Sequence, residues 1–596
     1  MTEPRASANT VARLLDLRAA ETPQAIAFRH EASDGQWVPV TWQDFSLRVA
    51  KLRRALLAAG LRKGDRLALV APVSLEWEVL HHAALAMGAV VVGMDAHDLP
   101  ERIATMAEQA GIAAFATTDP RVLSRLGAER LAGCRFLLHL GPLGQIGGGA
   151  GAPPNGPPWL TWGALDALGA STNADTEPPM ADDVATIIFT SGTTGAPKGI
   201  AFSHGQVCLA IDAICDAFDF ASPDSRLLCW LPLSNLFQRV VNLAGMRKGA
   251  VTYLLADPRR VMQVVARVSP DIFVGVPRFY EKLYDGLREN IAAQTPLRRA
   301  LVEWAWGVGR RASRYRLNRR SMPPWLALAH AVADRLVLGR VRHVMGTRLR
   351  CMVTGSAPTP RHLLEEFHAL GWLALEAYGL SENVLPMAMN RIDDFRFGTV
   401  GRPLPGNQIV VADGGVIKVR GPGLFHGYLG EADPPPLDAD GFYLTGDLGR
   451  FDADGCLTLT GRTGDMIKTS TGRRIAPAGV ETQLRSVPGV DQAVLIGAGR
   501  KVLVALCTCT QAGLDERGRT RLEQGLREQV TRIGETERPR GVGLIERPFS
   551  IELGELTSNL KLRRAHIEEH HAELIRTLYE LIDRQSSSAA GGLVVL

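Results

Sequence analysis

The sequence has no uninterrupted apolar run long enough to cross a bilayer. Its longest candidates, such as Trp77–Ala96, are broken by Glu, His or Gly. The amino terminus, MTEPRASANTVARLL, lacks the charged-then-apolar order of a secretory leader, so a cytosolic chain is expected. CxxC spacing is missing among the eight cysteines, which include the pair Cys507 and Cys509. They are expected to be reduced and buried within strands. Strong net charge is missing too. Sixty-seven basic against 62 acidic residues leave +5, too little to argue for a nucleic-acid partner. What the chain does have is length and apolar content, 596 residues at 46% hydrophobic, enough for several units with large cores.

One stretch concentrates chemistry. Ala185–His204 reads ATIIFTSGTTGAPKGIAFSH, with apolar runs at Ala185–Phe189 and Ile200–Phe202, a strand–loop–strand pattern. Between them stand Thr190, Ser191, Gly192, Thr193, Thr194, Gly195, Ala196, Pro197, Lys198 and Gly199. Glycines let backbone N–H groups turn toward an anion, hydroxyls donate to it, and Lys198 brings positive charge. A polyphosphate tail needs those groups. The GxxxxGK[ST] spacing of a Walker A loop is absent and no helix directly follows. A plain surface hairpin is the alternative, and the density of donors argues against it. The stretch closely resembles the phosphate-binding signature of the adenylate-forming superfamily: acyl-CoA synthetases, peptide-synthetase adenylation domains and luciferases.

Residues 10–120 alternate helix and strand patterns, with a strand entered at Gly64–Val70, a helix over Ser74–Met87, a strand over Gly88–Met94 and a capped helix from about Asp98 to Ala110. Parallel α/β layering follows. Residues 141–158, Gly/Pro-rich and uncharged, are expected to form a flexible loop. Between Arg298 and Trp325, eight arginines interleave with Trp304, Trp306, Tyr315 and Trp325. Two readings stand: a solvated helix with its aromatics in the core, the usual meaning of a charge run, or a face lying on an anionic membrane.

Two further loops fall at the carboxyl ends of expected strands, where open α/β sheets bind ligands. The first is Gly355-Ser356-Ala357-Pro358, whose small residues admit a flat purine to the backbone. The second, after a strand through Glu376, is Ala377-Tyr378-Gly379-Leu380-Ser381-Glu382-Asn383. Tyr378 is placed to stack on the purine, and Glu382 to hold Mg²⁺, which prefers hard oxygen ligands.

The resemblance covers nearly the whole chain and implies a fold: an α/β amino-terminal adenylation domain over residues 1–461, with a β-subdomain at 400–461. A small mobile α+β domain at 462–585 and a disordered tail at 586–596 would follow. It also implies roles. Asp447, in YLTGD, would hold the ribose hydroxyls with Arg462; Glu376 joins the nucleotide-binding set. Gly464 stands where the family hinge usually carries Asp or Lys. Thr469–Ile475 resembles the loop meeting pantetheine, with Arg473 and Arg474 near CoA phosphates or merely solvated. Lys561, in GELTSNLKLRR, occupies the place of the lysine that completes adenylation, with Thr193, Lys198 and Glu382 as its catalytic partners. Asn235 and Gln238 stand where the family usually has His and Glu beside the acyl pocket, and Asn383 where Thr or Ser is common. DIFVGVPRFYEKLY (residues 271–284) looks like the long-chain branch. The implied activity joins a carboxylic acid, expected to be a medium- or long-chain fatty acid, to CoA using ATP and Mg²⁺. Alternatives are an acyl carrier protein as acceptor, or a regulatory nucleotide binder without turnover. A cytoplasmic enzyme, with peripheral contact at the inner membrane left open, completes the expectation.

Overall fold

Continuous aliphatic runs such as Leu67–Val70 and Val90–Gly93 form strands buried on both faces, as parallel sheets covered by helices require. The computed structural model describes residues 9–32, 34–95, 98–140, 157–173, 175–190, 197–431, 435–509, 516–550, 553–556, 562–586 and 593–596. The residues of the 141–158 loop lie almost entirely outside that set.

Two large sheets carry the amino-terminal part. The first has seven strands in the order Trp159–Thr161, Phe136–His139, Ile112–Thr117, Arg66–Val70, Val90–Gly93, Val184–Phe189 and Gly199–Ser203. Only its last pair is antiparallel. The second, of nine strands, has a parallel centre built from Val251–Leu254, Arg226–Cys229, Ile272–Gly275, Cys351–Thr354 and Ala374–Tyr378. Helices from both sheets share one core, in which Trp77, Leu80 and Val207 from the first sheet's helices are buried with Val240 from the second's. Helix starts follow the local chemistry. The Ser74 hydroxyl accepts the Trp77 N–H at 3.1 Å, and Ser203 and Gln206 form a reciprocal capping box. The helix expected from about Asp98 begins instead at Pro100 without a side-chain cap, because Asp98 pairs with Arg102.

A four-stranded antiparallel meander follows: Gln408–Val411, Val416–Arg420, Tyr443–Phe451 and Leu457–Arg462. Arg402–Pro403, expected within it, pairs with Ala388–Met389 in the nine-stranded sheet instead. The carboxyl-terminal sheet has the order Val490–Ile496, Leu503–Cys509, Pro539–Ile545 and Val594–Val595, with a core on each face. The end of the expected disordered tail is thus an edge strand. Its apolar, β-branched sequence pairs parallel to Pro539–Ile545, and Arg527 donates to the Leu593 carbonyl at 2.7 Å.

All eight cysteines are unpaired and buried. Only Cys229, Cys351, Cys507 and Cys509 sit in strands; Cys208 and Cys215 line the helix His204–Ala217 instead. Burial pushes the Cys351 thiol up to about 12, so these are packing groups rather than nucleophiles. No helix among the described residues is long and apolar enough to cross a membrane.

Candidate active site

The phosphate loop springs from the antiparallel hairpin Val184–Phe189 and Gly199–Ser203. Ser191 to Ala196, including Gly192, Thr193, Thr194 and Gly195, lie outside the described residues, but both stems are in place. The Thr190 N–H donates to the Lys198 carbonyl at 3.0 Å, and Arg102 donates to the Thr190 carbonyl at 3.2 Å. At Gly199 a Cβ would meet Leu429 Cδ1 at 2.5 Å, so a larger residue there would displace the Leu429 side chain. Lys198 pairs with Glu431 at 2.7 Å and lies over the Tyr428 ring at 4.5 Å. Tyr428 in turn donates its hydroxyl to Glu382 Oε1 at 2.9 Å. Tyr428 therefore ties the phosphate hairpin to the candidate metal ligand, a role that sequence reasoning missed. Its one signal was an aromatic in the Gly-flanked string HGYLG. Glu382 Oε2 has no hydrogen-bond partner among the described residues, so it fits a magnesium ion that arrives with ATP.

The two purine loops leave adjacent parallel strands, with Thr354 in register with Glu376. They approach closely. A Cβ on Gly355 would stand 3.1 Å from the Ala377 carbonyl oxygen, and Ser356 is held at φ 69°, a left-handed conformation unusual for serine. Ala357, Pro358, Gly379 and Ser381 continue the two loop mouths. The Tyr378 hydroxyl donates to Asp447 Oδ2 at 2.6 Å, and Arg462 Nε donates to Asp447 Oδ1 at 2.6 Å. Three residues from separate motifs thus form one cluster. Beyond the ring face expected to stack, the Tyr378 hydroxyl is bound to Asp447. Burial first, and then the Asp447 charge, raise its pKa far above the tyrosine range.

Glu376 lies beneath these loops, buried, and accepts the Gly398 N–H at 3.1 Å. Burial pushes its carboxyl up to about 7, against the pull of N–H groups from Gly398 and Thr359. The native state keeps this proton to higher pH than the unfolded chain does, so folding stability falls as pH rises from about 4.5 to about 7 and levels off above. Glu376→Gln is expected to flatten that window in thermal melts taken across it. An unchanged slope would assign the titration elsewhere.

The three residues expected at the acyl pocket are engaged within the chain. Asn235 is exposed and caps the helix Leu236–Lys248 by accepting the Phe237 N–H at 3.0 Å. Asn383 donates to Asn407 Oδ1 at 2.8 Å and accepts the Leu385 N–H at 3.1 Å. Gln238 is buried and donates to Asn242 at 2.9 Å, which donates to Glu78 Oε1 at 2.7 Å. Glu78 belongs to a buried network that sequence reasoning missed. Arg239 donates to Thr186 Oγ1 at 2.7 Å, joining this helix to the strand that feeds the phosphate loop. Burial lowers His82 to about 3 and raises Glu78. Ligand atoms of Glu78, His81 and His82 lie within 4.8 Å of one another, but the buried Arg239 guanidinium already supplies the local positive charge. The network reads as a brace between helices.

Past Arg462 the chain turns at Gly464, exposed and with nothing within 4 Å of a built Cβ. The carboxyl-terminal domain docks through Arg485 to Glu281 at 2.7 Å and through an Arg278–Asp491 ion pair. Arg473 and Arg474 are exposed. Lys561 lies outside the described residues. Its flanks do not: Leu556 bridges Leu562, and the Arg563 N–H donates to the Glu555 carbonyl at 2.8 Å.

A family profile described as "AMP-binding enzyme" matches residues 15–429, and one described as "AMP-binding enzyme C-terminal domain" matches 464–583. The long-chain-fatty-acid–CoA ligase FadD15 of Mycobacterium bovis is 29% identical over 603 residues, covering 93% of this chain and 96% of the relative. Human long-chain-fatty-acid–CoA ligase 1 is 30% identical over 464 residues, 70% of this chain and 64% of the relative. The fold is shared with the A-PCP didomain of carboxylic acid reductase from Segniliparus rugosus in complex with AMP. That match has TM-score 0.74 at 18% identity and covers 97% and 83% of the two chains. With the profile spanning both large sheets, the phosphate hairpin and the loops at Gly355 and Glu382, the chain belongs to the AMP-binding enzyme family, the adenylate-forming enzymes.

Proposed function

We propose that this enzyme activates a medium- or long-chain fatty acid with MgATP and transfers the acyl group to CoA. The observation that carries the reading is the juxtaposition of two assemblies. One is the Asp447–Arg462–Tyr378 cluster, suited to a ribose diol; the other is the Lys198–Tyr428–Glu382 chain, suited to phosphates and magnesium. Near full-length similarity to a long-chain ligase supports the acyl class.

In the first step the fatty-acid carboxylate oxygen attacks the α-phosphorus, the bond to the leaving pyrophosphate breaks, and acyl-adenylate remains. The Thr190–Lys198 loop, with Thr193 and Lys198, grips the outgoing phosphates, and Glu382 holds magnesium. Lys561 bridges the carboxylate and α-phosphate oxygens. The chain's task is in-line positioning and neutralisation of developing charge. In the second step the CoA thiolate attacks the acyl carbonyl and AMP leaves. The small domain turns about Gly464 between steps, and the glycine there suits a pivot because the observed turn does not itself demand one. Arg473 and Arg474 offer charge to CoA phosphates.

Product analysis by mass spectrometry, with MgATP and acids from short to long chains, with and without CoA, tests the reading. Acyl-CoA is expected to accumulate with the longer acids. Acyl-adenylate that forms without passing to CoA would shift the acceptor to a carrier protein. No pyrophosphate release would overturn the activity.

A further inference from the structure

Seven of the eighteen large apolar side chains exposed among the described residues fall between Leu297 and Leu336. Four of them, Trp325 (60% exposed), Leu328 (69%), Val332 (41%) and Leu336 (45%), recur every three or four residues. They run along the helix Pro324–Ala333 and the π-turn Asp334–Leu338 that extends it. That spacing puts them on one face, a stripe roughly 16 Å long at helical rise. On the other side Leu326, Ala333, Val337 and Leu338 are buried in the core with Trp306. The helix is therefore apolar inward and outward, and only its inward side is covered. Of the two readings open for this arginine-rich segment, Trp306 follows the core reading, while Trp304 and Trp325 do not.

Charge selects the partner. Residues 296–342 carry eleven arginines against Glu303 and Asp334, a formal +9; with the whole chain at +5, the remaining residues sum to −4. Asp334 is taken by Arg342 at 2.6 and 3.0 Å. Arg311, Arg314, Arg316, Arg320, Arg335 and Arg340 form no ion pair with a carboxylate among the described residues. Beside the stripe, Arg316, Arg335, Arg342 and His330 line a concavity of about 510 Å³, against the single carboxylate of Asp334. Burial and the neighbouring Arg342 lower Arg316, and the charge of Asp334, already held by Arg342, only partly offsets them. A second copy of the chain would bring the same positive face against this one, and like charges oppose that pairing.

We infer that the helix pair Pro296–Leu317 and Pro324–Leu338 docks on a bilayer of anionic phospholipid. Its Trp325–Leu336 stripe enters the headgroup boundary, and the Arg316–Arg335 concavity holds a lipid phosphate. The match between a tryptophan-bearing apolar stripe and unpaired arginines is the chemistry such a surface recognises.

Flotation of the full chain with vesicles tests this. Binding is expected to phosphatidylcholine mixed with phosphatidylglycerol, not to phosphatidylcholine alone, and to weaken with salt. Brominated acyl chains are expected to quench tryptophan fluorescence, less so in Trp325→Phe. Leu328→Asp and Arg335→Glu, both at exposed positions, are each expected to lower vesicle affinity about tenfold. Their melting temperature and pyrophosphate release with a soluble short-chain acid should stay unchanged. Leu209→Asp, an exposed apolar position on another helix, serves as the matched control. Vesicle binding that survives Leu328→Asp and Arg335→Glu, or falls equally in Leu209→Asp, would overturn the assignment. So would a concentration-dependent dimer that Leu328→Asp dissolves, because a second copy would then be the occupant.

Discussion

Lys561→Ala is expected to lower acyl-adenylate formation roughly 10²–10³-fold, about 3–4 kcal/mol, the usual loss when one charge-stabilising donor is removed from a transition state. Thiolation of supplied acyl-adenylate is expected to survive. The asymmetry is expected because the proposed turn about Gly464 withdraws Lys561 from the α-phosphate before the thiolate attacks. The described residues on either side of Lys561 are firmly anchored. Glu555 is fully buried, and although burial alone would raise its carboxyl, paired bonds from Arg547 at 2.6 and 2.8 Å, the Ser550 N–H and His571 hold it at about 2. The bridge from Leu556 to Leu562 and the Arg563–Glu555 backbone bond fix the described residues that flank Lys561 in sequence. Pyrophosphate exchange reads the first half-reaction, and CoA-dependent consumption of acyl-adenylate reads the second. Equal loss in both would refute the role.

The fold was legible wherever a local pattern decides the element. Strands 66–70, 90–93 and 184–189 announced themselves as apolar runs between turns, and Ser74 and Ser203 marked helix starts. What misled was pairing between distant segments. Nothing local says that Arg402–Pro403 joins the large sheet rather than the meander, or that Val594–Val595 finds an edge beside Pro539–Ile545. The site divides the same way. Asp447, Arg462 and Tyr378 came from three motifs known through resemblance, and only three-dimensional geometry makes them one hydrogen-bonded unit. Tyr428 gave only the weak signal of an aromatic in a Gly-flanked loop and Glu78 none, since such residues acquire meaning from partners many residues away. Gln238, which the motif placed beside a pocket, gains a partner the motif did not show: its amide donates to Asn242, inside the brace between helices.

Asp447→Ala is expected to cost roughly 10²–10³ in kcat/KM for ATP, if each of two charge-assisted bonds to a ribose diol contributes about 1.5–3 kcal/mol and part is recovered by water. The difficulty is that Asp447 also serves the fold: it is buried, and both Tyr378 and Arg462 lean on it at 2.6 Å. Removing it strands a phenol and a guanidinium, so lost activity alone would not separate ribose binding from local collapse. Substrate and side chain must be changed together. ATP lacking both ribose hydroxyls should impair the wild-type enzyme about as much as Asp447→Ala impairs it with ATP. The variant should then lose little more with that analogue, because an interaction already absent cannot be removed again. Asp447→Asn keeps an acceptor for Tyr378 while giving up the charge that Arg462 faces, and about a tenfold loss is expected of it. If the variant and analogue penalties simply multiply, the diol is held elsewhere, and Asp447 is a strut beneath the nucleotide rather than its ligand.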